Sequence, residues 1–172
     1  MDIQERAKKI KLLLLDVDGV LTDGSVVIGS YGDEIKNFNI HDGLGIVLAA
    51  RAGLKVAIMT ALKSKIVKFR ANQLGIRKVY ANHLKLKLLP SVKRDFRVKE
   101  EEICFVGDEL IDLPILKRVG LAVTVPEGIT EAKEIAHYVT TRQGGFGAVR
   151  EVCELVLKAQ SKWDGVTKKY FE

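Results

Sequence analysis

The chain has 172 residues and a mass of 19.1 kDa, 47% hydrophobic and 29% charged, which is the make-up of one soluble domain with its own core. Its apolar runs, such as Leu12 to Leu15, fall far short of the roughly 20 residues a bilayer crossing needs, so membrane insertion is excluded. The net charge of +6 comes from lysines scattered among glutamates, with aromatics at only 6%; this argues against a nucleic-acid partner and for a small anionic ligand.

In chain order, the N-terminal MDIQERAKKI is charged and amphipathic, with no signal-peptide core. LLLLDV (12–17) is the first predicted strand. Residues 25–39, SVVIGSYGDEIKNFN, read as a β-hairpin where a helix would be expected. The strands LKVAIMT (54–60), KVY (78–80), EICFVGD (102–108), LAVTV (121–125) and HYV (137–139) follow. Between them, GIVLAARAG, SKIVKFRANQLG, LLPSVKRDF, LPILKRVG and EAKEIA carry apolar residues at helical spacing. Three of these close on a glycine, Gly53, Gly75 or Gly120, as a helix C-terminus often does. GAVREVCELVLKAQ is a last long helix, and SKWDGVTKKYFE, without periodicity, reads as a tail. The expected organisation is a single domain over 1–160 with a C-terminal tail over 161–172. Cys104 and Cys153 lie in apolar stretches, which points to buried, reduced thiols and a cytoplasmic protein.

Strands alternating with helices define an α/β protein, a doubly wound parallel sheet covered on both faces. In such sheets ligands bind beyond the carboxyl ends of the strands. The polar residues expected there are Asp16, Asp18, Thr60, Asp108 and Asp112. Asp16 and Asp18, two apart in D-V-D-G, place two carboxylates on one side, and Gly19 allows a sharp turn. Like charges so close call for a hard cation with oxygen ligands, most simply Mg²⁺. Taken singly, each of these motifs has a plainer reading: an Asp/Gly turn, or an N-cap at Thr60 and at Asp108.

Together they resemble the four motifs of the haloacid dehalogenase superfamily. DVDGV resembles its nucleophile motif, Thr60 the second, a lysine the third and GDELID the fourth. LLLLDVDGVLTDG, FNIHDGLGI, KSKIV, FVGDELIDLP, RVGLAV and GGFGAVREVCELVLKAQSKW are closer still to a subfamily, the 3-deoxy-D-manno-octulosonate 8-phosphate phosphatases. The likeness spans roughly residues 8 to 163. It implies a Rossmann-like fold of that superfamily's type, with a hairpin inserted after the first strand and no cap domain. It further implies hydrolysis of that sugar-acid phosphate in lipopolysaccharide precursor synthesis. Asp16 would be the nucleophile and Asp18 the general acid and base; Mg²⁺ would sit on the Asp16 carboxylate, the Asp18 backbone carbonyl and Asp108, with Asp112 behind them. Thr60 and a lysine would offset phosphoryl charge. Spacing from the fourth motif selects Lys85, with Lys87 in reserve. Substrate contacts would come from Asn39, Ile40, His41, Asp42, Gly43, Arg70 and Lys85.

The chain departs from the subfamily at three arginines. Leu62 and Val47 stand where arginine is usual, and so does His41, whereas Arg70 is retained. Such losses leave phosphoryl chemistry intact and weaken bidentate anion recognition, so a related nine-carbon sugar-acid phosphate or another small phosphomonoester is the alternative substrate. A receiver-like phosphoacceptor domain is disfavoured because the acidic pair DxDG ends the first strand. A catalytically idle oligomerisation module is disfavoured because Asp16, Asp18 and Asp108 are all intact. No cap fits between the motifs, so the wall missing from the site is expected from another copy. The resemblance implies a homotetramer whose hairpins bring Asn39 to Gly43 beside a neighbouring site, with the tail folded over that neighbour's mouth.

Overall fold

Four consecutive leucines, Leu12–Leu15, form β1, and all four are buried. Their side chains alternate between the two faces: Leu13 and Leu15 enter one core, Leu12 and Leu14 the other. An unbroken apolar strand is therefore what a central, doubly covered position demands. A computed structural model describes residues 2–172.

β1 pairs in parallel with β4 (Lys55–Thr60) on one side and β6 (Ile103–Val106) on the other, Leu14 lying between Ala57 and Phe105. β5 (Val79–Ala81), β7 (Leu121–Thr124) and β8 (Tyr138–Val139) complete a six-stranded parallel sheet in the order β5-β4-β1-β6-β7-β8. The six strands are those expected from the sequence. The strand order reverses on either side of β1, so the crevice for a ligand opens at its carboxyl end.

One face is covered by α1 (Ile3–Lys8), α2 (Ile40–Arg51), α3 (Lys65–Gln73) and α7 (Ala148–Ala159), the other by α4 (Leu89–Phe96), α5 (Leu113–Leu116) and α6 (Thr130–Ile135). Asn39 caps α2 by accepting from the His41 and Asp42 N–H groups, and Ser64 caps α3 by accepting from Val67. Gly53 and Gly75 close their helices at positive φ, as expected. Gly120 is needed for a different reason: a Cβ there would lie 2.0 Å from the Glu101 carbonyl oxygen.

Two expectations are corrected. The C-terminal residues are not an unstructured tail: Trp163–Thr167 form α8 and Lys168–Tyr170 a 3₁₀ turn. Trp163 lies beneath the cations of Arg150 and Lys158, and the Tyr170 hydroxyl accepts from Arg51, so the segment is seated on its own chain. Its low periodicity reflects its length, since five residues are too few to show one. Thr60 is not a helix N-cap, because α3 begins only at Lys65. The hairpin is real but slight. β2 (Val27–Ile28) and β3 (Glu34–Ile35) form a separate two-stranded ladder whose residues are all exposed. Among the described residues no helix is long and apolar enough to cross a membrane, and no cap domain is inserted. Both cysteines are buried and free.

Candidate active site

β1 delivers Asp16 to the sheet edge, where its backbone N–H donates to the Val106 carbonyl and its side chain is almost wholly enclosed. The chain then turns through Val17–Gly19. Gly19 has φ +85°, and a Cβ on it would sit 2.0 Å from an Asp108 carboxylate oxygen. The turn can therefore lie against Asp108 only with glycine at this position. β6 ends just before Gly107-Asp108, so the first and fourth motifs meet because β1 and β6 are neighbours in the sheet.

Lys85 comes from the crossover after β5, in a 3₁₀ turn over Lys85–Leu88, and is 1% exposed. Its ammonium donates to Asp16 Oδ1 at 2.8 Å and to Asp112 Oδ1 at 2.6 Å. Lys87 is exposed, so the geometry selects Lys85 of the two candidate lysines. Asp112 spends its other oxygen on the backbone N–H groups of Asp108 and Glu109, at 3.0 and 3.1 Å. It thus closes the turn after β6 and anchors Lys85 in one arrangement. Burial would depress the Lys85 ammonium, but Asp16 and Asp112 outweigh it and raise its pKa.

The carboxylates are short of positive charge. Burial first, and the neighbouring Asp112 second, raise Asp16 well above its ordinary range against the opposing pull of Lys85. The same two causes, burial leading, push Asp108 up to about 7. Asp108 Oδ1 is buried and has no hydrogen-bond partner. Carboxylate oxygens of Asp16, Asp108 and Asp112 lie within 4.8 Å of one another. A cluster of oxygens with one orphaned acceptor fits a hard divalent cation. Because both Asp112 oxygens are already engaged, Asp16 and Asp108 are the carboxylates that could hold such an ion. Thr60, 2% exposed at the end of β4, borders this edge in the strand next to β1.

The expected substrate-contact residues are not equally available. Asn39 is committed to capping α2. Asp42 is 1% exposed and accepts from the N–H groups of Gly147 and Arg150, so it caps α7 from the adjacent helix. Gly43 is buried against the Arg70 guanidinium, where a Cβ would lie 2.7 Å from a terminal nitrogen. Arg70 stacks over Phe38 and donates to Gln73, bracing the base of the hairpin. Only Ile40 and His41 of this stretch turn outward. Within the protomer Asp42 is therefore a buried cap of α7; a loop aspartate and a capping aspartate look alike in sequence until the second helix is in place.

One charged residue at this edge has no counterpart among the sequence expectations. Lys36, just beyond β3, donates to Asp18 Oδ1 at 2.6 Å. The available signal was the period of two that puts Glu34 and Lys36 on one face of the strand.

A crossover-built edge with a buried aspartate, a lysine and a second acidic turn is the site of a phosphoryl-transfer protein, and the chain belongs to the haloacid dehalogenase-like hydrolases. The model of that family matches residues 52–152. The chain is 42% identical over 167 residues to the 3-deoxy-D-manno-octulosonate 8-phosphate phosphatase KdsC of Yersinia pestis, covering 96% of this chain and 89% of that protein. Against KdsC of Escherichia coli K12 the identity is 43% over 164 residues, 95% of this chain and 87% of that protein. The crystal structure of the Moraxella catarrhalis 3-deoxy-D-manno-octulosonate 8-phosphate phosphatase, in complex with magnesium, phosphate and KDO, superposes with a TM-score of 0.95 at 38% identity, covering 98% of this chain and 97% of that one.

Proposed function

We propose that this chain is a Mg²⁺-dependent phosphomonoester hydrolase whose substrate is 3-deoxy-D-manno-octulosonate 8-phosphate, working in the cytoplasm as a homotetramer. The observation that carries the reading is the buried Asp16–Lys85–Asp112 chain of contacts beside the orphaned Asp108 oxygen. The names of the KdsC relatives and of the KDO-bound neighbour support the choice of substrate.

Asp16 attacks phosphorus in line, forming a P–O bond to its carboxylate while the bond to the sugar oxygen breaks. Asp18 gives its proton to that oxygen as the sugar leaves. A water then attacks the acyl phosphate, surrenders a proton to Asp18, and releases phosphate with Asp16 restored. Lys85 holds Asp16 in its attacking rotamer and faces the phosphoryl oxygens, assisted by the Thr60 hydroxyl. Mg²⁺, held by Asp16, Asp108 and the Asp18 carbonyl, would supply positive charge for the phosphoryl oxygens.

Sugar recognition must differ in detail from that implied by the subfamily pattern. Leu62 is 61% exposed and offers no charge. Of the residues 39–43, His41 and Ile40 are the ones left to reach a ligand. They sit at the foot of the hairpin, which supports contact with a neighbouring copy's site. Val26, Ile28 and Tyr31 on that hairpin are 65%, 69% and 99% exposed, which supports burial of this arm between copies.

The test is phosphate release from 3-deoxy-D-manno-octulosonate 8-phosphate and a panel of sugar-acid and small phosphomonoesters, with Mg²⁺ and with EDTA. Turnover of the octulosonate ester that EDTA abolishes and Mg²⁺ restores is expected. Preference for another phosphomonoester would overturn the substrate, and chelator-insensitive turnover would overturn the site.

A further inference from the structure

The arm is solvent-exposed along its ladder, yet one of its charged residues is not. The Lys36 side chain is 5% exposed, and its ammonium lies 2.6 Å from Asp18 Oδ1 and 2.6 Å from Glu34 Oε1. Among the described residues Lys36 is the only side-chain partner of the Asp18 carboxylate. Asp18 itself is half exposed, on a loop, with nothing else to choose its rotamer.

We propose that Lys36 is a positioning residue: from the hairpin it fixes the Asp18 carboxyl so that Oδ2 faces the leaving oxygen. The inference rests on the acid and base role of Asp18 in the proposed function. A charge-assisted bond as short as this fixes direction as well as distance. Occupying Oδ1 leaves Oδ2 as the oxygen that carries the proton. Glu34 shares the same ammonium, so Lys36 is held from the arm side even when Asp18 is neutral. Burying the Lys36 ammonium here would be unfavourable without the two carboxylates. The arm thereby contributes to the chemical step of its own protomer through a residue that touches no substrate.

Leaving-group dependence distinguishes this role from a general structural one. A proton from Asp18 matters for a poor leaving group and little for a good one, and kcat/KM reports only steps up to formation of the acyl phosphate. The experiment measures kcat/KM of full-length wild type, Lys36→Met, Lys36→Arg and Glu34→Gln with Mg²⁺ on benzyl phosphate, phenyl phosphate and p-nitrophenyl phosphate, which are similar in shape. General acids contribute about 10²–10⁴-fold, and misplacing one forfeits part of that. Lys36→Met is therefore expected to lose about 30-fold or more on benzyl phosphate and less than about threefold on p-nitrophenyl phosphate. Lys36→Arg should recover most of the loss, and Glu34→Gln should show the same pattern more weakly.

An equal loss on all three esters, or a weakened inhibition by inorganic phosphate in Lys36→Met, would overturn the proposal in favour of a structural or phosphate-binding role. Should Lys36→Met not fold, the pattern in Glu34→Gln decides in the same way. A wild type inactive on every ester, including the octulosonate phosphate, would overturn the proposed function and this inference together; an active wild type with a uniform Lys36 defect overturns the inference alone.

Discussion

The carboxyl edge of the sheet and the hairpin arm are opposite kinds of incompleteness. At the sheet edge the central strands are covered by the chain itself, and what remains unsatisfied is charge: buried Asp16 and half-buried Asp108 have too little positive charge around them. On the arm the polar backbone is paired in a small ladder, and what remains unsatisfied is apolar surface, with Val26, Ile28 and Ile35 facing water. The first deficit is of the kind a cation and a phosphate satisfy, the second of the kind a protein surface satisfies. Lys36 joins the two, because it starts on the arm and ends on Asp18.

The comparison can be broken most severely at the edge. Asp16→Asn is expected to lower kcat by about a thousandfold or more, since no neighbouring group replaces a covalent nucleophile. Circular dichroism should show an unchanged fold. Appreciable phosphate release by this variant would mean that another group attacks phosphorus.

Lys85→Met is the next largest change, and it reads stability as well as rate. It leaves Asp16 and Asp112 facing each other without their cation, which costs about 3 kcal/mol in urea denaturation without metal. Mg²⁺ should recover part of that loss by binding Asp16 together with Asp108. A midpoint equal to wild type would show that Lys85 contributes nothing to holding the edge together.

Leu62→Arg sharpens the contrast by adding charge where the edge meets solvent. Leu62 is already 61% exposed, so the fold should tolerate the change. One charge-assisted bond to the sugar acid, worth roughly 1.5–3 kcal/mol, should lower KM for 3-deoxy-D-manno-octulosonate 8-phosphate by about tenfold to a hundredfold. A higher KM would indicate a pocket shaped for a different ligand.

The smallest effect on protomer stability is expected on the arm. Ile28→Lys changes an exposed side chain and should shift unfolding by no more than about 0.5 kcal/mol. The same variant should sediment as a smaller species than wild type. Phe38, which is packed between the core and Arg70, is the wrong place for this test, because a charge there would disturb the protomer as well. A wild type that sediments as an active monomer would remove the reason for the exposed arm.

The six strands could be read from the sequence in order because a doubly covered parallel strand must be apolar at every position, and LLLL and ICFV allow little else. The motif aspartates could be placed at one edge for the same reason, since each follows such a strand. Asn39 and Asp42 were harder to assign. Both occur at the polar start of α2, but Asn39 caps that helix while Asp42, in its first turn, caps α7, more than a hundred residues later in the chain. The helical C-terminus was missed because Arg51 belongs to a helix more than a hundred residues earlier, and Arg150 and Lys158 meet Trp163 only when the chain folds back on α7.

What the sequence by itself determined was whatever depends on local periodicity and on residue type: strands, helices, the turn at Gly19, and the acidic residues that follow strands. What only the tertiary structure decided was the pairing of charges across elements. Lys85 rather than Lys87 meets Asp16 and Asp112, and Lys36 meets Asp18, because strand order and crossover paths bring those atoms within 2.8 Å. An ion pair buried in this way depends on distance through space, and spacing along the chain carries no record of that distance until the sheet has been assembled.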